Sequence, residues 1–221
     1  AISGSTAVVK AALAGSFAGT LDGGVTITDN PTTANLGTIN TATDGTITLT
    51  GTDAYSLAFS GSTAQVKAAT AGTFGSTLLG AATLTDNPST ADLATINSRV
   101  GGQITLSGTN AYGVAVSGAT ATVKSALAGS FAGTMDGAVT ITDNPSTADL
   151  ATINAATDGT ITLTGGAGYG VTISGSAATV KAALAGAFAD TLTGGVTITD
   201  NPSTTDLGTI NTATDGTITL T

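Results

Sequence analysis

The chain of 221 residues has few charges and no histidine, cysteine, glutamate or tryptophan. Five Lys plus Arg stand against fourteen acidic residues, all of them Asp, which gives a formal net charge of -9 at pH 7. Nucleic acid is not an expected partner, because phosphate binding needs clustered basic side chains. Most general bases, the thiol nucleophile and the commonest metal ligands are absent. We therefore expect no enzyme activity and no cofactor.

The composition favours a thin, packed core. Hydrophobic residues make up 41% of the chain and aromatic residues 4%, with a mean hydropathy of +0.36. No run of about 18 apolar residues occurs, so no membrane span is expected. A surface with few charges and much Ser, Thr and Gly is typical of secreted proteins. We expect an extracellular or cell-surface location.

Four copies of one unit fill the chain. The tetrad Thr-Asp-Asn-Pro begins at Thr28, Thr85, Thr142 and Thr199, in steps of 57 residues. The predicted repeats are 1–57, 58–114, 115–171 and 172–221, and the fourth lacks the seven-residue link seen as 51–57. The chain thus starts and stops at one seam, as expected of a segment cut from a longer array. A fixed period of this kind is the signature of stacked repeat proteins.

The third repeat illustrates the predicted elements. Residues 113–118 alternate with a period of two, which predicts the first strand. Residues 120–128 predict a helix with an apolar stripe of Val123, Ala126, Leu127 and Phe131, with Lys124 in solvent. We expect Gly129 to end this helix in the left-handed conformation. The second strand is predicted at 138–142.

The second half of the repeat begins with the turn Asp143-Asn144-Pro145. Ser146 and Asp149 have the spacing of a capping box, which predicts a second helix that runs to about Ala156. The third strand is predicted at 160–164, and a Gly-rich link at 165–170 leads to the next repeat. This link is either a hairpin or a tight solenoid corner.

These elements predict an α/β repeat fold. We expect an elongated, solenoid-like array of four strand-helix-strand-helix-strand units. The apolar side of each strand would lie under helices, and the rows of Thr, such as Thr26 and Thr48, would form the other sheet face.

Calcium is the candidate metal, because hard cations favour carboxylate and amide oxygens. Asp29, Asp86, Asp143 and Asp200 each stand at a strand-to-helix turn, and calcium prefers carboxylate and amide oxygens. Calcium needs roughly six to eight oxygens, and one carboxylate per turn is few. The sequence favours a role in the turn and leaves calcium as the alternative.

Two further positions recur in the links and second helices. The Asn of Thr-Ile-Asn, at Asn40, Asn97, Asn154 and Asn211, predicts either an Asn ladder at a corner or a cap of the second helix. The tyrosines of the link, Tyr55, Tyr112 and Tyr169, are expected to cover the junction between repeats, with partner binding as the alternative.

The segment from Val139 to Thr164 resembles the tandem repeats of very large bacterial cell-surface proteins, notably those of cyanobacteria. The resemblance implies export, an elongated array and a structural or adhesive role. We expect a structural repeat protein that forms a rod, filament or surface layer. The alternative is a surface-binding module: an adhesin stalk, or an ice-binding protein that uses its Thr rows.

The seam between repeats is the predicted assembly site. Ile2 lies at the first strand, and Ile218 and Leu220 lie at the last. Open strand edges template pairing with another chain. The expected partners are therefore further copies, head to tail, or further repeats of a longer chain.

Overall fold

The computed structural model describes all 221 residues and alternates short strands with helices. Its twelve strands form four separate sheets of three parallel strands, each in chain order. In chain order the strands are β1 (Ile2–Gly4), β2 (Val25–Ile27), β3 (Ile47–Leu49), β4 (Phe59–Gly61), β5 (Ala82–Leu84), β6 (Ile104–Leu106), β7 (Val116–Gly118), β8 (Val139–Ile141), β9 (Ile161–Leu163), β10 (Ile173–Gly175), β11 (Val196–Ile198) and β12 (Ile218–Leu220).

A helix follows the first and the second strand of every sheet. The eight helices are α1 (Thr6–Leu13), α2 (Thr33–Ala42), α3 (Thr63–Ala69), α4 (Thr90–Asn97), α5 (Thr120–Leu127), α6 (Thr147–Ala156), α7 (Ala177–Leu184) and α8 (Thr204–Thr212). Parallel strands need such crossover connections. None of these helices has the length and hydropathy of a membrane-spanning segment.

The core is built from the alternate residues of each strand. In β2, Val25 and Ile27 are buried whereas Thr26 between them is half-buried. Helix α1 packs on β1 and β2 and buries Val9 and Leu13. The β-branched side chains suit a pleated surface, and their period of two places one apolar row in the core.

The chain divides into two compact units. The first contains Ala1–Pro88, Thr95–Ala111 and Gly129–Gly133, and the second contains Ser89–Ala94, Tyr112–Ala128 and Thr134–Thr221. The first unit holds the sheets β1-β2-β3 and β4-β5-β6. The second holds the sheets β7-β8-β9 and β10-β11-β12. The predicted α/β class with repeated units is confirmed.

Three details of the third repeat differ from the sequence expectation. The first strand is only Val116–Gly118, since Ala111–Gly113 form a 3-10 turn. The helix ends at Leu127, so Phe131 lies outside the helical stripe. Gly129 does not have a positive φ. Instead, a Cβ at Gly129 would overlap the side chain of Asn97, so the position is kept free of a side chain by packing.

The link between repeats is not a hairpin. In the first unit, β3 does not pair with β4; the chain makes a 3-10 turn at Ala54–Ser56 and starts a new sheet. The edge of β3 that faces away from β2 instead forms a single parallel bridge, from Ile47 to Phe74. In the second unit, Ile161 of β9 bridges Phe188 in the same way. The hairpin alternative is therefore wrong, because the edge that it would use is occupied.

The remaining elements of the third repeat are confirmed. The second and third strands form at Val139–Ile141 and Ile161–Leu163, and α6 ends at Ala156. Its predicted capping box is present: the Asp149 N–H donates to Ser146 Oγ over 3.2 Å, and the carboxylate accepts from the Ser146 N–H.

Candidate functional site

The Asp of each Thr-Asp-Asn-Pro tetrad caps the N-terminus of the helix that precedes it in the chain. Its role therefore extends beyond the turn in which it stands. Asp29 follows β2, and its Oδ1 accepts from the Thr6 backbone N–H at 2.7 Å and from the Thr6 hydroxyl at 2.5 Å. Thr6 is the first residue of α1, whose N-cap Ser5 makes no side-chain cap. The carboxylate therefore satisfies an otherwise open helix donor and meets the positive end of the helix dipole.

The same contact recurs in every repeat. Asp86 accepts from Thr63 and Asp143 accepts from Thr120, each through the backbone and the hydroxyl. In the fourth repeat the partner is Ala177, so Asp200 accepts only from a backbone N–H, at 2.8 Å. In each repeat the contact links the turn after the second strand to the start of the helix that follows the first strand.

This hydrogen bonding changes the acidity of the carboxyl groups. The Thr120 hydroxyl and then the Thr120 backbone N–H hold the pKa of Asp143 below its usual value of 3.8. Thr6 lowers the pKa of Asp29 in the same way. Hydrogen bonds to the charged form favour it, which outweighs the opposing effect of burial.

A pH dependence follows from these lowered pKa values. The contribution of Asp143 to stability should be complete above the unfolded-state pKa near 3.9, and should be lost as the pH falls through the lower folded-state pKa. The variant Thr120→Val removes the hydroxyl donor, so the pKa of Asp143 should rise. Carboxyl titration by NMR measures this. The control Thr152→Val removes a hydroxyl that bonds only to Ala148 O. An Asp143 pKa that moves equally in both variants would contradict the assigned cause.

The Asn and Pro of the tetrad hold the turn and the link. Asn30 Oδ1 accepts from the Asp53 N–H at 3.1 Å, and Asn30 Nδ2 donates to the Asp53 carboxylate at 2.7 Å. In the third repeat, Asn144 Oδ1 accepts from Ala167 N at 3.0 Å. Pro31 is buried. The tetrad thus ties the helix before it to the link after it.

The four calcium candidates stand in four different strand-to-helix turns. One oxygen of each carboxylate already accepts from a helix N-terminus, as described for Asp29, Asp86, Asp143 and Asp200. The structure contains no group of three or more acidic side chains that could hold a metal ion. The contacts described are those of a capping residue.

We therefore expect a chelator to leave the melting temperature of the full chain unchanged. A ligand that binds only the folded state must stabilise it, so its removal would lower that temperature. Circular dichroism melts with and without EDTA, and with added calcium, measure the difference. A fall of several degrees that calcium reverses, but magnesium does not, would contradict the capping role as the sole role.

Three of the recurring lysines pair with a residue of the next helix. Lys124 Nζ lies 2.5 Å from Asp149 Oδ1, and Lys181 Nζ lies 2.6 Å from Asp206 Oδ1. In the first repeat Lys10 donates to Asn35 Oδ1 at 2.7 Å. The Lys124 side chain remains 37% exposed, as predicted, but the prediction missed its ion pair with Asp149, which forms because α5 and α6 place the two side chains side by side. Lys124 lowers the pKa of Asp149.

The Asn of Thr-Ile-Asn caps a helix of the following repeat. Asn40 lies in α2, and its Nδ2 donates to the carbonyls of Ala68 and Ala69 in the last turn of α3, at 2.9 and 2.5 Å. Asn154 of α6 donates to Ala182 and Ala183 of α7, at 2.9 and 2.7 Å. Neither predicted role describes this contact, since the acceptors belong to another helix. Carbonyls in the last turn have no partner within their own helix.

Space for this Asn is provided by a glycine. A Cβ at Gly72 would overlap the Asn40 side chain, and a Cβ at Gly186 would overlap that of Asn154. The Oδ1 atoms of Asn40 and Asn154 are buried without a hydrogen-bond partner. The amide group is thus enclosed, and its position depends on the glycine that faces it.

The link tyrosine Tyr55 contacts the end of a strand, and the strand threonines are the central residues of their strands. The Tyr55 hydroxyl accepts from the Leu49 N–H at 3.3 Å, and Tyr55 is half-buried. It therefore lies against the end of β3. In the first sheet, Ser3, Thr26 and Thr48 are in register across the three strands.

The three predicted seam residues lie on edge strands. Ile2 of β1 pairs only with Val25, and Ile218 of β12 pairs only with Val196. Both are half-buried, whereas Leu220 is 55% exposed. Their equivalents within the chain, such as Phe59 and Ile47, are buried.

Among the contacts that were not predicted are the Asp cap of the preceding helix, the Lys pairs between helices and the Asn cap of a helix in the following repeat. The signal of the first two in the sequence is a constant spacing in three of the four repeats. The spacing of Thr6 and Asp29 recurs except in the fourth repeat, which has Ala177, and that of Lys124 and Asp149 recurs except in the first, which has Asn35. Constant spacing alone does not identify which of many recurring pairs are in contact.

No protein-family model matches the chain, and no curated protein or solved structure matches it significantly.

Proposed function

We propose that this chain is an extracellular structural repeat protein that builds a rod, filament or surface layer by end-to-end stacking of its repeats. The observation that carries this is the junction between consecutive repeats. Helix α2 packs on α3, and α6 packs on α7, with the same Asn cap and the same strand bridge. A junction that repeats its contacts can add units in one direction.

The composition supports a role outside the cell. The surface is rich in Thr, Ser and Gly, and the resemblance to bacterial cell-surface repeats is in accord with export. The recurring Asp and Asn contacts serve helix caps and repeat junctions, as expected of a structural array. On this proposal the partners are further copies or further repeats.

A second candidate function, a surface-binding module of the adhesin or ice-binding kind, has one observation in its favour. Ser and Thr side chains stand in register across each sheet, as at Ser60, Thr83 and Thr105. Such rows give a polar, uncharged surface. The Tyr55 hydroxyl accepts from the Leu49 N–H at the end of β3.

Small-angle X-ray scattering of the full chain tests the elongated array. A compact globule of this length has a radius of gyration of about 17 Å. We expect a clearly larger value and a rod-like distance distribution, because strands stack at roughly 4.8 Å per layer. A dilution series provides the control for association. A value of about 17 Å at all concentrations would contradict the proposal.

A further inference from the structure

We propose that the second repeat carries a binding site for a carboxylate-bearing ligand of the sugar-acid class, centred on Arg99. Arg99 is the only arginine of the chain. The site lies in a surface groove of the first compact unit. The inference goes beyond the proposed structural role and does not depend on how repeats or copies stack.

Arg99 stands where the second repeat departs from the other three. It lies in the corner formed by residues 98–103, between α4 and β6. The equivalent residues in the other repeats are all alanine, at Ala42, Ala156 and Ala213. Gly101 replaces an aspartate that the other repeats keep, at Asp44, Asp158 and Asp215. The corner of the second repeat thus gains a cation and loses a carboxylate.

A second acidic position is lost beside the same corner. Leu79, which is 59% exposed, stands where the first and third repeats have Asp22 and Asp136. A Cβ at Gly101 would lie 3.1 Å from Leu79 Cδ2, so the two changed positions are neighbours. An anion that approaches Arg99 therefore meets no carboxylate at either position.

The second repeat gives up hydrogen bonds at this corner. In the third repeat, the Thr157 hydroxyl donates to Met135 O at 2.7 Å and accepts from the Gly159 N–H at 3.0 Å. Val100 occupies the equivalent position and has no hydroxyl for either bond. A departure from the local structural pattern is expected where a residue serves a function.

The groove beside Arg99 has the lining that a sugar acid needs. Its volume is about 410 Å³, and its lining includes the exposed residues Ser76, Thr77 and Ser98 and the half-buried Phe74. No acidic side chain lines it. Hydroxyl groups both donate and accept, so they suit the hydroxyls of a sugar, and an aromatic ring suits its apolar C–H face.

The guanidinium of Arg99 is anchored at one nitrogen. Its Nη1 donates to Lys67 O in the last turn of α3 at 3.3 Å, and the side chain is half-buried. A guanidinium carries several N–H donors in a fixed fork, which matches the two oxygens of a carboxylate. Because the side chain is already held, less conformational entropy is lost when a ligand binds.

The charge of the chain favours a singly charged ligand. The net charge is -9, so a polyanion is repelled by the protein as a whole. One guanidinium can still pair with one carboxylate. The hydroxyl of Ser98 donates to Thr95 O at 2.7 Å, which leaves its oxygen as an acceptor for a ligand hydroxyl. These features favour a sugar acid over both a polyphosphate and a simple alkyl carboxylate.

Side-chain NMR of the full chain tests the site directly, because a single arginine gives a single Nε–H signal. The probe is D-glucuronate at constant ionic strength. We expect a saturable shift of the Arg99 signal with a Kd of about 1 mM. Acetate, which has the carboxylate alone, should bind at least about fivefold more weakly, since it makes no bond to the groove hydroxyls. D-Glucose, which has the hydroxyls alone, should not shift the signal.

Two variants restore the residues of the other repeats and are expected to fold, which circular dichroism checks. Arg99→Ala should weaken glucuronate binding at least about tenfold, measured on the backbone signals of the groove. Gly101→Asp leaves Arg99 in place and should also weaken binding, because it returns a carboxylate to the corner. The matched control Lys124→Ala removes the same charge from another repeat and should leave binding unchanged.

An Arg99 signal that does not move at glucuronate concentrations far above 1 mM, taken as about the expected Kd, would overturn the site. Equal binding in Arg99→Ala, or an equal loss in Lys124→Ala, would identify a general charge effect and overturn it as well. Acetate or inorganic phosphate that binds as tightly as glucuronate would overturn the assignment to a sugar acid.

Discussion

Replacing Gly159 by alanine is expected to destabilise the chain by about 3 kcal/mol or more, at the upper end of what overpacking costs. Gly159 follows Asp158 in the corner before β9. A Cβ there would overlap the carbonyl oxygen and carbon of Gly137 in the corner of the preceding strand. Both partners are backbone, so no side chain can turn aside. Urea unfolding at pH 7 measures the change.

The control for Gly159→Ala is Gly166→Ala. A Cβ at Gly166 would meet no atom within 4 Å, and Gly166 does not have a positive φ. Its free energy of unfolding should change by no more than about 0.5 kcal/mol. Equal effects at the two positions would show that the corners have room for a side chain. The backbones of Gly137 and Gly159 would then not be as close as described.

Replacing Ile161 by alanine is expected to cost about 2–5 kcal/mol. Ile161 begins β9, is fully buried and lies opposite Phe188 of the next repeat. Truncation of the Ile161 side chain leaves a cavity in the core. The surrounding strands cannot close it, because their backbones are held in place by hydrogen bonds. The Ile161 N–H donates to Ala187 O at 2.8 Å, and its carbonyl accepts from Ala189 N at 2.9 Å.

Leu79→Ala is the matched control for Ile161→Ala, because it removes a comparable apolar group from an exposed position. Its expected effect lies within about 0.5 kcal/mol. Thermal and urea unfolding should agree on the order of the two variants. A small effect at Ile161 would contradict the burial of this side chain in the core between β9 and the next repeat.

Much of the local structure followed from residue patterns. The alternation at Val139 and Ile141 specifies a half-buried strand, and the Ser146 and Asp149 spacing specifies a capped helix. These signals act over a few residues and do not depend on the rest of the chain. The strand boundaries did not follow from the pattern: Val114 alternates like a strand residue, yet it directly follows a 3-10 turn and strand pairing begins only at Val116.

The candidate site was predicted by position and not by contact. The sequence marks Asp143 as recurring, but its helix partner Thr120 lies 23 residues earlier. Gly129 shows the same limit. A local argument assigns it to a left-handed helix end, whereas the structure uses it as space beside Asn97. The need for space comes from a neighbour that only folding brings near.

The sequence by itself determined the repeat, the α/β class and most strands and helices, because the period and the apolar alternation are properties of the chain alone. Tertiary structure decided the parallel register, the break between β3 and β4, and the partners of the recurring Asp, Asn, Lys and Gly residues. Those depend on which turns of the chain come within about 3 Å of each other, the distance at which a hydrogen bond forms or a Cβ is excluded. Residue types repeated four times present many equivalent partners, and packing selects among them.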